Sequence, residues 1–124
     1  MTVSVYSVVV DCPDASALAD FYSAVTGLER TTDRPDWVVI GGTQQGGWRI
    51  AFQQTDKYLP PRWPDPNAPQ QFHLDLLVDD IEAAETMVLK LGARRLRGSG
   101  EDFRVYADPV GHPFCLVWQQ SATA

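Results

Sequence analysis

The sequence predicts an α+β domain built from two β-α-β-β-β modules, and three observations carry that expectation. Ala15, Leu18, Tyr22 and Val25 recur at i, i+3, i+7 and i+10, and Ile81, Ala84, Val88 and Leu91 repeat the same spacing, so each half holds one amphipathic helix. Gly27 and Gly92 follow the two stripes, where a left-handed cap belongs. Each stripe is preceded by an apolar run ending in Val-Asp, at Val10-Asp11 and Val78-Asp79, and is followed by three short strand-like runs. A whole unit recurring in this way is the signature of an internal duplication. Two such units side by side are expected to share one curved mixed sheet, with both helices on the outer face and a trough on the inner one.

In the first module, residues 3–55, Val3–Asp11 is rich in β-branched residues and reads as a strand. Asp14, after Pro13, is placed to cap the first helix. Strands are expected at Leu28–Thr32, Trp37–Gly41 and Trp48–Gln54, with Gly41-Gly42 and Gly46-Gly47 bracketing a polar turn before the last. Residues 56–71 hold Pro60, Pro61, Pro64, Pro66 and Pro69, a density that no regular element survives. They read as an ordered, extended connection, with Tyr58, Leu59 and Trp63 as its anchors to the body.

The second module, residues 72–118, opens on the strand Phe72–Val78. Side chains alternate across a strand, so Phe72, Leu74, Leu76 and Val78 form one apolar face, while His73, Asp75 and Leu77 form the other. Asp79 or Asp80 caps the second helix, with Glu82 and Glu85 favourably near its N-terminal end. Ala93–Arg97, Phe103–Ala107 and Pro113–Trp118 are three further strands, separated by Gly98-Ser99-Gly100 and by Asp108-Pro109-Val110-Gly111. Gln119–Ala124 reads as a tail.

Composition excludes several function classes. The chain has 124 residues, 44% hydrophobic and 21% charged, which suits one globular domain and not a disordered segment. Its net charge is −6, and its only basic grouping is Arg94, Arg95 and Arg97, which reads as a solvated strand face. Binding to nucleic acid or to an anionic membrane is therefore not expected. Two cysteines, Cys12 and Cys115, make no disulfide framework, which points to reducing cytoplasm. No apolar run approaches the roughly 20 residues that span a bilayer. The start, Met-Thr-Val-Ser-Val-Tyr, lacks the basic and apolar regions of a secretory signal. No phosphate-binding glycine loop, nucleophilic Ser-His-Asp spacing or Cys-x-x-Cys pair occurs.

His73 is the leading candidate for chemistry, either as an acid/base near neutral pH or as a structural imidazole bonded to Asp75 or Gln53. Asp75 is either its acceptor or a ligand contact. Gln53 and Arg49 share a face of the fourth strand, and Arg49 either holds an anionic group or is a rim charge paired with an acid. Cys115, between Phe114 and Leu116, reads as a buried, inert thiol beside the trough. Trp48, Trp63 and Tyr106, with Trp37, Tyr58 and Phe103, supply aromatic surface for a flat organic molecule or for the core. His112 belongs to a turn, and Cys12 has no assigned chemistry.

The chain resembles the vicinal oxygen chelate (VOC) superfamily of glyoxalase I, bleomycin-resistance proteins, fosfomycin-resistance enzymes and extradiol dioxygenases. The residues that carry the likeness are Val10-Asp11, Phe21-Tyr22, Gly27-Leu28, His73-Leu74-Asp75, Val78-Asp79-Asp80, Leu91-Gly92-Ala93 and Asp108 through Phe114, within a span from Val3 to Trp118. The run Pro60-Pro61-Arg62-Trp63-Pro64 is similar to that of small glyoxalase-like proteins of unassigned activity. The resemblance implies a single domain over 1–124 with the glyoxalase/bleomycin-resistance fold, paired as a homodimer.

It also implies a site. Metal enzymes of the superfamily offer a His from the first strand of each half and a Glu from the last. Matched residue by residue, those positions fall on His73, Val5, Cys115, and Ala51 or Gln53. Hard ions prefer oxygen ligands and gain little from this set. Zinc accepts His73 and a Cys115 thiolate but needs a third ligand, for which Asp75 is the candidate. No resident metal is therefore favoured, although a divalent ion is possible. The expected function is the binding or sequestering of a small organic molecule in the trough. The alternative is a metal-dependent lyase, isomerase or dioxygenase.

Overall fold

The computed structural model describes residues 4–118. The chain divides into two compact units between Tyr58 and Leu59. The first contains β1 (Val8–Cys12), α1 (Ala15–Thr26), β2 (Arg30–Arg34), β3 (Trp37–Gly41) and β4 (Arg49–Gln54). The second contains β5 (Leu74–Leu77), α2 (Ile81–Lys90), β6 (Arg94–Ser99), β7 (Phe103–Ala107) and β8 (Pro113–Val117). The β-α-β-β-β order thus occurs twice, as the α+β reading requires. Among the described residues, strand pairing gives an open four-stranded mixed sheet in each unit, ordered β1-β4-β3-β2 in the first and β5-β8-β7-β6 in the second.

In the first unit, Asp14 caps α1 by accepting from the Ala17 N–H, and Gly27, at φ 77°, donates its N–H to the Ser23 carbonyl. Leu18, Phe21 and Tyr22 are buried, and Tyr22 stacks on Phe52 of β4 at 5.7 Å. The helix therefore covers the face of the sheet that carries Phe52. Arg30 ties β2 to α1 through Asp20 at 2.7 Å. Among the described residues strand β1 begins at Val8, because its parallel pairing starts at Val8 and Ile50, one residue into β4. Val5 lies before this strand and is exposed, and residues 1–3 lie outside the described residues.

In the second unit, Asp80 is the helix cap, its carboxylate accepting from the Ala83 N–H. Ala84 and Val88 are the buried residues of α2, whereas Leu91 falls at the cap and is partly exposed. Strand β5 is shorter than expected and lies outermost in its sheet. Its pairing starts at Leu74 and Phe114, and the next residue back on β8 is Pro113, which lacks an N–H. Phe72 therefore lies outside the strand and is 59% exposed, so it does not extend the apolar face. Asp108 is the buried charge of this unit, and its carboxylate accepts from the Val110 and His112 N–H groups. This fixes the Asp-Pro-Val-Gly-His turn and gives His112 the structural place expected of it.

The proline-rich segment is turned, not extended. Arg62 N–H donates to the Ala68 carbonyl, Asp65 N–H to Arg62 and Ala68 N–H to Asp65. Trp63 anchors it, with its indole N–H donating to the Arg97 carbonyl at 2.8 Å. Leu59, expected as another anchor, is 87% exposed. Gly111, at φ 106°, lets Pro60 approach closely, since a Cβ there would lie 2.9 Å from the proline Cβ.

Candidate functional site

The site begins with the alternation of three paired strands. Asp75 is the register partner of Cys115, and Cys115 of Val105; Leu77 pairs with Val117, and Val117 with Phe103. Cross-strand partners share a face, so these side chains lie together. Their neighbours Phe114 and Tyr106 stack at 5.5 Å on the opposite face, where Tyr106 meets α2 through Glu85. The helix-free face is thus the one that carries Asp75 and Cys115. With His73, the proline-rich segment and the β6–β7 turn it forms an open cleft of about 1100 Å³.

At its centre, the His73 Nε2 lies 3.2 Å from the Asp75 Oδ1, with both side chains partly open to solvent. Cys115 is 7% exposed. Burial pushes its thiol up to about 11, and the charge of Asp75 and a hydrogen bond to it push in the same direction. The thiol is therefore protonated at neutral pH and donates to a carboxylate that also faces the imidazole. Trp63, Phe103 and Trp118 line the cleft as aromatic surface. Gln70 lines it too, and its Oε1 is buried with no hydrogen-bond partner. Asp102 adds a second carboxylate.

The ligand atoms of His73, Asp75 and Cys115 lie within 4.8 Å of one another. One nitrogen, one oxygen and one sulfur fit zinc in type, with a coordination position left open. They do not fit magnesium or calcium, which take oxygen ligands. Zinc ligation needs the thiolate, and both burial and Asp75 oppose that form.

The other expected residues are placed as follows. Trp63 joins His73, Asp75 and Cys115 in the cleft. Tyr106 does not. It is fully buried, and its hydroxyl donates to Glu85 of α2 at 2.7 Å, because it is one residue out of step with Val105. Arg49, Gln53 and Trp48 belong to the first unit. Arg49 lies over the Tyr6 ring at 4.1 Å and donates to the Tyr6 carbonyl at 3.0 Å, so its guanidinium is engaged with its own chain, not held free for an anion. Gln53 and Trp48 are exposed. With the helix caps Asp14 and Asp80 taken as equivalent, His73 corresponds to Ser7 and Asp75 to Val9, whose partner is Ala51 as Cys115 is that of Asp75. The first-module counterparts are thus Ser7 and Ala51, neither a metal ligand of the expected type.

Sequence reasoning did not single out Gln70, Asp102 or Trp118 as cleft residues. Val105 and Val117 were accessible to it as cross-strand and alternate neighbours of Cys115. Gln70 has no periodic signal, because it lies in the irregular segment before β5.

The family model for the glyoxalase-like domain matches residues 7–117. The chain belongs to the glyoxalase-like domain family. Solved structures with the same fold include a possible glyoxalase from Bacillus cereus, 12% identical over 94% of this chain and 99% of that one, with a TM-score of 0.69. The fosfomycin resistance protein from Mesorhizobium loti is 14% identical over 98% and 95%, with a TM-score of 0.70. A glyoxalase/bleomycin resistance protein/dioxygenase family enzyme from Burkholderia phytofirmans is 19% identical over 90% and 95%, with a TM-score of 0.65. At these identities the likeness concerns the fold. No curated protein matches this glyoxalase-like chain.

Proposed function

We propose that this glyoxalase-like domain binds a small organic molecule in the helix-free cleft of its second unit without a resident metal. The observation that carries this reading is the cleft itself. At about 1100 Å³ it is slightly larger than the roughly 300–1,000 Å³ typical of ligand pockets, with Trp63, Phe103 and Trp118 around the His73–Asp75 pair. With its Nε2 on Asp75, His73 has its Nδ1 available for accepting a hydrogen bond from the ligand or for taking up a proton. Asp75 orients it, and Cys115 acts as a neutral wall. Within the first unit, Gln53 and Trp48 are exposed and are proposed as ligand contacts there, with Arg49 engaged by Tyr6.

The test is a thermal-shift and tryptophan-fluorescence screen of organic compounds. Hits should raise the melting temperature of the wild-type protein and lose affinity in His73→Ala and Trp63→Ala. A diverse screen without a single hit would count against the reading and favour a module with no small ligand.

The second reading, a metal-dependent lyase, isomerase or dioxygenase, rests on the His73, Asp75 and Cys115 donor set. A homodimer is also proposed, since the superfamily likeness implies it and two-fold pairs are the commonest oligomers. A monomer mass from light scattering at micromolar concentration would contradict it. A reducing, cytoplasmic setting suits the free cysteines Cys12 and Cys115. Among the described residues, no helix is long and apolar enough to cross a membrane.

A further inference from the structure

We propose that the cleft is selective for flat aromatic molecules with a cationic, hydrogen-bond-donating head group, and that it rejects anions. This rests on the small-molecule reading above and names the class of ligand.

The charged groups that line the cleft have one sign apart from the imidazole of His73. Asp75 and Asp102 contribute carboxylates, and no Lys or Arg is among the lining residues. The arginines of the second unit that form ion pairs form them elsewhere: Arg95 with Glu85, Arg104 with Glu82 and Glu85, and Arg62 with Asp65. Arg97 supplies its backbone carbonyl to Trp63. A concave surface with carboxylates and apolar walls concentrates negative potential and attracts cations.

One uncharged polar group, the Gln70 amide oxygen, points the same way. The Gln70 Oε1 is buried on the cleft wall without a donor, and a buried acceptor gains most from a partner that brings an N–H. Asp75 already receives the imidazole and the Cys115 thiol, and among the described residues no ion pair engages Asp102. An anionic head group would meet two carboxylates and a bare amide oxygen. An ammonium or amidinium would satisfy them.

The body of the ligand is set by the aromatic surface. The indole of Trp63 is fixed by its hydrogen bond to Arg97, and Phe103 and Trp118 also line the cleft. Aromatic faces favour flat rings and are attracted to positive charge.

Three acridines that share one ring system test this by fluorescence titration at mildly alkaline pH: aminoacridine as the cation, acridine as the neutral molecule and acridinecarboxylate as the anion. The cation is expected to bind at least about tenfold tighter than acridine, and the anion weakest, with added salt narrowing the difference. Asp102→Asn should weaken the cation by about three- to tenfold and leave acridine within about twofold. Gln70→Glu should tighten the cation, and Gln70→Leu should weaken it. Asp102 is exposed, so its variant decides the matter even if Gln70 substitutions lower the melting temperature. Equal binding of all three, or tightest binding of the acid, overturns the selectivity and leaves the small-molecule reading standing. If no acridine binds while compounds of other classes do, the aromatic class is overturned. If nothing of any charge binds, both readings fall.

Discussion

Asp75 and Cys115 are register partners on β5 and β8, and the carboxylate of one reinforces burial in favouring the protonated thiol of the other. The thiol is pushed up to about 11, first by burial and then by the charge and hydrogen bond of Asp75. Asp75→Asn is therefore expected to lower the pH midpoint of Cys115 alkylation, yet leave it above the ordinary thiol range because burial remains. Iodoacetamide rates measured against pH in a Cys12→Ala background read this directly. An unchanged midpoint would remove Asp75 from the account.

The same shift governs alkaline stability. Cys115 rises from 9.0 to about 11, and buried Tyr106 from 10.0 to about 12, so the unfolded chain releases these protons first. Their contribution is complete below about pH 9 and is lost as the pH climbs through about 11 and 12. Urea melts of Cys115→Ala should show a flatter decline between about pH 9 and 11. Tyr106→Phe should flatten the decline one unit higher. Parallel slopes in wild type and variants would refute the assignment.

Glu85 works in the opposite direction. The Tyr106 hydroxyl, and after it Arg104 and Arg95, hold its carboxyl below the usual value. A depressed carboxyl stabilises the fold above its ordinary range and ceases to do so as pH falls through its folded value. Glu85→Gln should flatten the acid limb below about pH 4.5 and cost about 1–3 kcal/mol at neutral pH by loosening Arg95 and Tyr106. Ligand affinity should stay the same, because these groups lie on the α2 side of the sheet. A loss of ligand affinity would place the cleft elsewhere.

Elemental analysis of protein purified without chelator is expected to find well under one metal per chain. Chelation should leave the melting temperature and ligand affinity unchanged. A stoichiometric ion, zinc above all given the donor types, that disappears in His73→Ala would establish the metal-dependent reading.

Much of the architecture was legible because it depends on local rules. Asp14, Asp80 and Gly27 announce helix ends through the chemistry of caps, and the two stripes announce which helix faces are buried. Element ends were less legible where they depend on a partner strand. Phe72 continues an apolar alternation, but pairing with β8 stops at Leu74, and Val5 likewise precedes the pairing of β1. In the site, His73, Asp75 and Cys115 followed from alternation and from the family likeness. Tyr106 was misassigned because β7 could be read in either phase until its register with Cys115 was known. The place of Arg49 was not legible, because its partner, Tyr6, lies 43 residues away in sequence. Gln70 could not be found at all, since an amide in an irregular loop follows no period.

Asp75 stands on a four-residue strand whose one pairing among the described residues is with β8. Such a margin opens by local fraying far more often than the sheet as a whole unfolds. A molecule docked against Asp75 splints that fringe to its neighbour. Slowed amide-hydrogen exchange at Leu74–Leu77 would then report occupancy at concentrations too low to move the melting curve.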